Sequence, residues 1–208
     1  TTITCNTGYA GTATFVATCG TGGTFNSITC AAQVCAATQV AKSNKAGTGS
    51  ITGTTTETVT VDCVAGYSGS GTATCGTDGT FNSITCAAQA CTATQVPNSD
   101  KAEHGTITGK TTATVTVNCV AGYSGSGTAT CGTNSQFNKI ECAECKVGYY
   151  QNDAGSTTCK ECEEGQYMDE NKAISCKLCA QGRWNNQVKQ TSSACIECGM
   201  GKWSDNTG

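Results

Sequence analysis

Alternating polar and apolar residues mark the segments of this chain that predict strands. Residues 58–62 read Thr-Val-Thr-Val-Asp, and residues 114–118 read Thr-Val-Thr-Val-Asn. This period of two is typical of a strand that buries one face. Glycines follow each run and predict turns, and no segment shows a helical period. The pattern therefore predicts an all-β chain of short strands.

The two strand segments lie 56 residues apart because the surrounding sequence repeats. Cysteines 35, 63, 75 and 86 return at 91, 119, 131 and 142, and roughly seven positions in ten are identical between the two stretches. A shorter copy aligns Cys5, Cys19 and Cys30 with the last three cysteines of each set. We therefore predict a partial module at 1–30 (the first copy), modules at 31–86 and 87–142 (the second and third copies), and a different repeat at 143–208.

The composition places these modules outside the cell. The chain has 18 cysteines in 208 residues, and only 13% of its residues are charged. Small secreted units bury little apolar surface and are stabilised by disulfides instead. A formal net charge of -3 without a dense basic stretch argues against nucleic acid and anionic membranes as partners. Because there is neither a membrane-spanning run nor a signal peptide at Thr1, we expect a mature internal segment of an extracellular or cell-surface protein.

A second cysteine pattern occupies the last part of the chain, which we call the paired-cysteine repeats (143–208). Four Cys-x2-Cys pairs are separated by 13, 13 and 15 residues: Cys142 and Cys145, Cys159 and Cys162, Cys176 and Cys179, and Cys195 and Cys198. A glycine and an aromatic residue follow each pair: Gly148 and Tyr150, Gly165 and Tyr167, Gly182 and Trp184, and Gly201 and Trp203. This recurrence predicts a series of short repeats, the last of them incomplete.

Residues 1–142 resemble the sushi, or complement control protein, module. The resemblance rests on the four cysteines, the Val-Thr-Val-x-Cys strand, the Gly-Tyr after the second cysteine and an aromatic residue before the fourth. Phe25, Phe81 and Phe137 replace the family's tryptophan, and Pro97 is the only proline. The family pairs its first cysteine with its third and its second with its fourth. The disulfides implied are Cys5–Cys30, Cys35–Cys75, Cys63–Cys86, Cys91–Cys131 and Cys119–Cys142, which leaves Cys19 requiring a partner upstream of Thr1.

The paired-cysteine repeats resemble those of ephrin-receptor-like and tumour necrosis factor receptor ectodomains and of protist surface antigens. That resemblance implies the disulfides Cys145–Cys159, Cys162–Cys176 and Cys179–Cys195. Cys198 is then left to pair beyond Gly208. The two leftover cysteines, Cys19 and Cys198, lie in the two incomplete end repeats. A fragment of a longer repetitive protein and bonding to neighbouring chains both remain open, because sequence does not settle cysteine connectivity.

Zinc is the main alternative chemistry, because Cys-x2-Cys-x13-Cys-x2-Cys also fits a tetrahedral site. Against zinc, the cysteines continue in an unbroken series, and an oxidising compartment favours disulfides over thiolates. A Cys-x2-Cys redox centre would need a βαβ context, which is missing here. We therefore predict no metal and no cofactor.

The remaining candidate sites are weaker. His104 is the only histidine, and Thr48 takes its place in the second copy, so we expect a solvated loop residue. The segment 69–71 is rich in glycine but has neither the lysine nor the helix of a phosphate-binding loop. Five acidic residues lack the spacing of a calcium loop: Glu161, Glu163, Glu164, Asp169 and Glu170. No nucleophile, base and oxyanion donor can be assembled, so no enzyme is expected.

The aromatic residues of the repeats have two interpretations. Tyr150, Tyr167, Trp184 and Trp203 would suit an interface, since tyrosine and tryptophan are frequent in binding hot spots. Packing over the adjacent disulfide is the preferred interpretation, and it extends to the three phenylalanines of the copies.

The predicted fold is a linear array of small disulfide-rich β modules, forming an elongated rod. Near-identical repeats, low charge and Thr-rich surfaces favour a structural role, as a subunit or stalk of an extracellular filament or surface coat. Such mixtures of repeats resemble algal and protist surface proteins, including flagellar-hair (mastigoneme) proteins. The expected partners are other copies or other chains of the assembly, and O-glycans could occupy Thr and Ser. The alternative is a ligand-binding or adhesion ectodomain of a cell-surface receptor.

Overall fold

The computed structural model describes residues 2–10 and 15–202. Contacts divide the chain into a first unit that ends at Gln89 and a second that begins at Ala90. Within the described residues, both units consist of short antiparallel strand pairs, and the helical content is one 3-10 turn at Ser192–Ala194. The prediction of an all-β fold built from small disulfide-rich modules is confirmed.

The first unit contains strands β1 to β8 in its described residues. They are Thr2–Ile3, Tyr9–Ala10, Phe15–Val16, Ala31–Ala32, Thr58–Val61, Tyr67–Ser68, Gly71–Thr74 and Ala87–Ala88. Strand β1 pairs with β3, β2 with β4, β5 with β7 and β6 with β8. Every pair is a separate two-stranded sheet.

The second unit contains strands β9 to β18 in its described residues. They are Thr114–Val117, Tyr123–Ser124, Gly127–Thr130, Ala143–Glu144, Tyr149–Tyr150, Lys160–Glu161, Gln166–Tyr167, Lys177–Leu178, Arg183–Trp184 and Ile196–Glu197. Strand β9 pairs with β11 and β10 with β12, and the last six strands form three consecutive hairpins.

The alternating runs predicted as strands form the main strands of the two complete copies. Strand β5 pairs with β7 so that Val61 lies opposite Gly71, and β9 pairs with β11 in the same way. Val61 and Val117 are fully buried, whereas the threonines of both strands are exposed. Each strand ends one residue before the end of the predicted run.

Each complete copy has its own small core. In the second copy the core residues are Val40, Ile51, Val61 and Ala73, with Phe81 and Ile84 packed against them. The third copy repeats this arrangement, with Phe137 in the place of Phe81. Because so few apolar side chains are buried, each copy depends on its cross-links for a large part of its stability.

A second element recurs in both units, and we call it the glycine hairpin. A cysteine opens it, a glycine three residues later turns the chain, and the strand that follows pairs with residues just past the closing cysteine. Cys63 and Gly66, with β6 paired to β8, are one example. The Tyr67 N–H donates to the Val64 carbonyl at 3.0 Å, and Gly66 has φ +86°, as the third position of a type II turn requires. The other paired hairpins turn at Gly8, Gly122, Gly148, Gly165 and Gly182.

One backbone hydrogen bond fixes the closing strand of every glycine hairpin. The glycine carbonyl accepts the N–H of the residue three positions after the closing cysteine. The pairs are Gln33 to Gly8 (2.9 Å), Gln89 to Gly66 (2.9 Å), Cys145 to Gly122 (2.9 Å), Cys162 to Gly148 (3.0 Å), Cys179 to Gly165 (2.9 Å) and Cys198 to Gly182 (2.8 Å). The copies and the paired-cysteine repeats therefore share this element, although their cysteine patterns differ.

We predict that Gly148→Ala destabilises the paired-cysteine repeats more than Gly182→Ala does. Both glycines have a left-handed backbone, which costs an alanine roughly 1–2 kcal/mol. A Cβ at Gly148 would also lie 2.4 Å from the Lys189 carbonyl oxygen, whereas a Cβ at Gly182 meets nothing within 4 Å. The collision adds about 1–3 kcal/mol at Gly148 alone.

Amide hydrogen exchange at Lys189 measures this difference, because its N–H donates to the Cys162 carbonyl at 2.9 Å. Faster exchange in Gly148→Ala than in Gly182→Ala is expected. Equal exchange in the two variants would show that the close approach to Lys189 is unimportant.

Candidate functional site

The sulfur chemistry of the chain is concentrated in disulfides. Sixteen cysteines form eight bonds: Cys5–Cys30, Cys35–Cys75, Cys63–Cys86, Cys91–Cys131, Cys119–Cys142, Cys145–Cys159, Cys162–Cys176 and Cys179–Cys195. Six of them join the opening and closing cysteines of a glycine hairpin. The other two, at Cys35 and Cys91, tie the front of each complete copy to its back. Cys19 is free and exposed, and Cys198 is free and half-buried.

The structure leaves no set of thiolates for a zinc tetrahedron in the described residues. Seven of the eight cysteines in the Cys-x2-Cys pairs are oxidised, and zinc binds thiolate sulfur. Nor do residues 2–10 and 15–202 contain a group of three or more His, Cys, Asp or Glu side chains placed to hold a metal ion. His104 lies exposed in a loop.

Successive glycine hairpins of the paired-cysteine repeats are joined through one buried residue each. Gln151, Met168 and Asn185 stand three positions after the glycine of their hairpin, and all three are buried. Their carbonyls accept the N–H groups of Gly122 (2.8 Å), Gly148 (2.8 Å) and Gly165 (3.1 Å) in the preceding hairpins. The first of these bonds joins the third copy to the repeats that follow it.

The two buried amide side chains are satisfied locally. Gln151 donates from Nε2 to the Thr158 carbonyl at 2.6 Å, and its Oε1 accepts the Asp153 N–H at 3.1 Å. Asn185 donates from Nδ2 to the Gln166 carbonyl at 2.9 Å. These polar groups hold loop geometry, since a buried amide without partners would be costly. This buried position could not be predicted from the sequence, because Gln, Met and Asn have no chemical property common to all three.

A buried threonine joins the first and second copies. Thr55 is 2% exposed, and its Oγ1 donates to the Gly8 carbonyl at 2.6 Å. Its backbone N–H donates to the Gln33 carbonyl at 2.8 Å. Thr111, the matching residue of the third copy, is also buried. Among so many exposed threonines, the sequence does not distinguish these two.

Two lysine side chains each contact both a tyrosine ring and a glutamate of a glycine hairpin. The Lys172 ammonium lies 5.9 Å from the Tyr123 ring and 3.6 Å from Glu144 Oε2. Lys189 repeats the arrangement, 5.7 Å from the Tyr149 ring and 2.8 Å from Glu161 Oε1. In both cases the tyrosine and the glutamate are cross-strand partners. Such exposed cation–π contacts contribute about 0.5–1 kcal/mol each.

The acidic residues that were candidates for calcium are largely paired with lysines. The Lys177 ammonium lies 2.7 Å from Asp169 Oδ1 and 2.8 Å from Glu170 Oε1. Its hydrogen bond lowers the pKa of Asp169, and the two carboxylates raise the pKa of Lys177. Glu163 and Glu164 are exposed. Lysines thus neutralise the carboxylates of Glu161, Asp169 and Glu170, which are not grouped as ligands around a cation.

The aromatic residues fall into packed and exposed groups. Phe81 and Phe137 pack on the cores of their copies, and Tyr150 and Tyr167 are half-buried. Phe25 is 66% exposed and Trp184 is 39% exposed. The packing interpretation is therefore wrong for Phe25. Trp203 lies outside the described residues.

Two grooves lie beside Phe137 in the described part of the chain. They enclose about 210 and 240 Å³, and both are lined by Phe137 and Thr94 together with apolar residues and neutral polar residues such as Gln136 and Asn138. Lys139 is the charged residue in the lining of the smaller groove. Neither groove brings two titratable side chains together. Their shape and lining offer no nucleophile and base in contact.

Comparison with known proteins supports part of this description. A family model described as tyrosine-protein kinase ephrin type A/B receptor-like matches residues 132–179. The matched stretch starts in the third copy and ends within the paired-cysteine repeats, so it spans the point where the repeat pattern changes. The predicted resemblance to a cysteine-rich ephrin-receptor-like module is confirmed for this stretch. No curated protein matches the chain.

The disulfides and this type of module indicate an extracellular protein. Within residues 2–10 and 15–202, the structure contains no helix with the length and hydrophobicity needed to cross a bilayer.

We predict that the pKa of Glu144 depends on Lys146. The Lys146 ammonium lies 2.7 Å from Glu144 Oε1, and this hydrogen bond holds the pKa of Glu144 below its ordinary value of 4.5. Because the pKa is lowered in the folded state, the stabilisation is complete above about pH 4.5 and is lost as the pH falls through the folded value. Lys146→Met should raise the pKa of Glu144.

A carboxyl-detected NMR titration of the two variants Lys146→Met and Lys139→Met provides the test. Lys139 pairs with Glu141 at 2.7 Å and serves as the control, since its removal should shift Glu141 and leave Glu144 unchanged. An unchanged Glu144 titration in Lys146→Met would contradict the assignment.

Proposed function

We propose that this chain is a structural repeat segment of an extracellular filament or cell-surface coat. The observation that carries the proposal is the repetition of one element, the glycine hairpin, with the same backbone bond in each. Repetition of one scaffold through the described residues suits a building unit better than a specific catalyst or receptor. We also propose the module boundaries 31–86 and 87–142, the sushi-like character of these copies, and the elongated rod.

The surface chemistry supports association or glycosylation. Strands β5 and β7 place Thr58 opposite Thr74 and Thr60 opposite Thr72, and all four are exposed. The third copy repeats this exposed set. A face of hydroxyl and methyl groups without charge can pack against another such face or carry O-linked sugars. The proposed partners are therefore other copies or other chains of the same assembly.

The second candidate is a ligand-binding or adhesion ectodomain of a cell-surface receptor. The match at residues 132–179 to a family named after ephrin receptors favours it. Within that stretch, however, several lysines, tyrosines and carboxylates are engaged with one another, as at Lys160, Tyr150 and Asp153. A dedicated binding patch would have exposed groups that differ from one repeat to the next.

Electron microscopy of native, unreduced extracellular material tests the proposal. Gold-labelled antibody against this chain should mark ordered filaments or a coat, and a reductant should loosen them because the modules depend on disulfides. The oxidised chain, examined over a range of concentrations, serves as the reference. Dispersed labelled particles of constant size, in both samples, would contradict the filament and favour the ectodomain.

A further inference from the structure

The two grooves of the third copy share part of their lining. One encloses about 240 Å³ and the other about 210 Å³, and Phe137 and Thr94 line both of them. The Phe137 side chain is half-buried. Val96, Ile107 and Ala129 line the smaller groove, and all three are buried. The grooves thus share an aromatic side chain, and the smaller one has an apolar floor.

Neutral polar side chains supply much of the remaining lining. They are Thr92, Thr94, Gln95, Gln136 and Asn138. The Asn138 side chain is engaged with the backbone of strand β11, where it accepts from the Thr130 N–H and donates to the Thr128 carbonyl. The other four side chains have no hydrogen-bond partner within the part of the chain that the structure describes. Their hydroxyl and amide groups are therefore available to a ligand.

The lining segments are held in place by the fold of the copy itself. The Cys91–Cys131 disulfide connects them, and the Thr92 N–H donates to the Ser135 carbonyl at 2.9 Å. Phe137 forms a β-bridge with Cys131. A site that is fixed in advance loses less conformational entropy when a ligand binds.

The lining carries almost no net charge. Lys139 lines the smaller groove, and its ammonium lies 2.7 Å from Glu141 Oε2. An ionic ligand therefore finds little charge to pair with. A purely apolar ligand would displace water from the hydroxyl and amide groups without replacing its hydrogen bonds, which weakens binding. A ligand with an apolar face and several neutral hydroxyl groups fits both conditions.

The second copy shows which polar groups are particular to the third. Ala36 stands in the place of Thr92, and Thr80 stands in the place of Gln136. The Thr80 hydroxyl donates to Asp78 Oδ2 at 2.8 Å, so it is already engaged by a carboxylate. On the same scaffold, the third copy therefore presents a hydroxyl and a free amide that the second copy lacks.

We propose that the grooves beside Phe137 bind a neutral carbohydrate, with one pyranose ring packed against the Phe137 side chain. The aromatic ring takes the apolar C–H face of the sugar, and Thr92, Thr94 and Gln136 bond to its hydroxyl groups. An aromatic surface with a few convergent polar groups is the usual composition of a small-molecule site. This binding activity goes beyond the structural role and is compatible with either candidate function.

Two-dimensional NMR of the isotope-labelled, oxidised chain tests the proposal. The probes are the methyl glycosides of glucose, galactose, mannose and N-acetylglucosamine. At least one should shift the amide signals of Thr92, Thr94 and Phe137, with a dissociation constant on the order of 1 mM for so small a ligand. Cyclohexanol, a ring with a single hydroxyl group, is the control and should bind about tenfold more weakly because it forms fewer hydrogen bonds.

Variants that introduce residues of the second copy test the polar groups without disturbing the scaffold. Gln136→Thr and Thr92→Ala should each raise the dissociation constant of the bound glycoside about fivefold, the loss expected for one hydrogen bond. His104→Thr makes the same kind of exchange at an exposed loop residue outside the grooves and should leave binding unchanged.

A reciprocal exchange tests the same groups by gain of binding. Ala36→Thr, Asp78→Asn and Thr80→Gln, combined in the second copy, should produce new glycoside-dependent shifts at Phe81. Loss of folding does not produce such a gain. An unchanged Phe81 signal would contradict the role assigned to these polar groups.

The proposal is overturned if none of the four glycosides shifts the three amide signals, if cyclohexanol binds as tightly as the sugars, or if Gln136→Thr and Thr92→Ala bind as the unaltered chain does. It is also overturned if methyl glucuronide binds more tightly than methyl glucoside and Lys139→Ser removes that binding, because the occupant would then be acidic. None of these results depends on whether the chain belongs to a filament.

Discussion

The architecture depends on one backbone hydrogen bond in each glycine hairpin. The N–H three residues after the closing cysteine donates to the carbonyl of the turn glycine. It needs a glycine at positive φ, a carbonyl facing the returning strand, and a cysteine pair that brings that strand back. In Cys145–Cys159 the loop spans 14 residues, and closing it contributes about 3 kcal/mol through the entropy of the unfolded chain. That energy compares with the burial of one or two apolar side chains. Since the paired-cysteine repeats bury few such side chains, their stability depends on this hydrogen bond and on the disulfide that closes the hairpin.

The glycine hairpin is common to both repeat types of the chain. The complete copies add a front segment and a four-residue core to the hairpin, while the paired-cysteine repeats add the next hairpin directly. The second unit passes from one repeat type to the other at Gln151, whose carbonyl accepts the Gly122 N–H and whose own N–H donates to the Ala173 carbonyl. A cysteine-rich match that begins before Cys142 and ends at Cys179 fits this continuity.

Sequence reasoning succeeded where a pattern corresponds to one physical requirement. The Thr-Val alternation predicted β5 and β9 because a two-residue period has one structural meaning, and the recurring glycines predicted turns. It did not reveal that the copies and the later repeats share a hairpin, although Cys-x2-Gly occurs at Cys5, Cys63 and Cys119 as it does after Cys145. The copies have four cysteines per repeat and the later repeats have pairs, so the two cysteine patterns differ although the hairpin is the same.

Other features could not be predicted because they depend on contacts between repeats. Thr55 is buried where its hydroxyl meets the carbonyls of Gly8, in the first copy, and of Gln33, and nothing in its own segment distinguishes it from an exposed threonine. We predicted that Phe25 packs as Phe81 does, but Phe25 is 66% exposed, whereas Phe81 packs on the core that contains Val40 and Ile51. Lys172 and Lys189 contact the rings of Tyr123 and Tyr149, which lie two repeats earlier in the sequence.

Disulfide mapping of the unreduced protein by mass spectrometry tests the central claim most directly. The account predicts that every glycine hairpin is closed by its own opening and closing cysteines. Proteolysis should therefore yield Cys5–Cys30, Cys63–Cys86, Cys119–Cys142, Cys145–Cys159, Cys162–Cys176 and Cys179–Cys195. A bond within a Cys-x2-Cys pair, such as Cys142 to Cys145, would contradict it, as would alkylation of those pairs together with release of zinc.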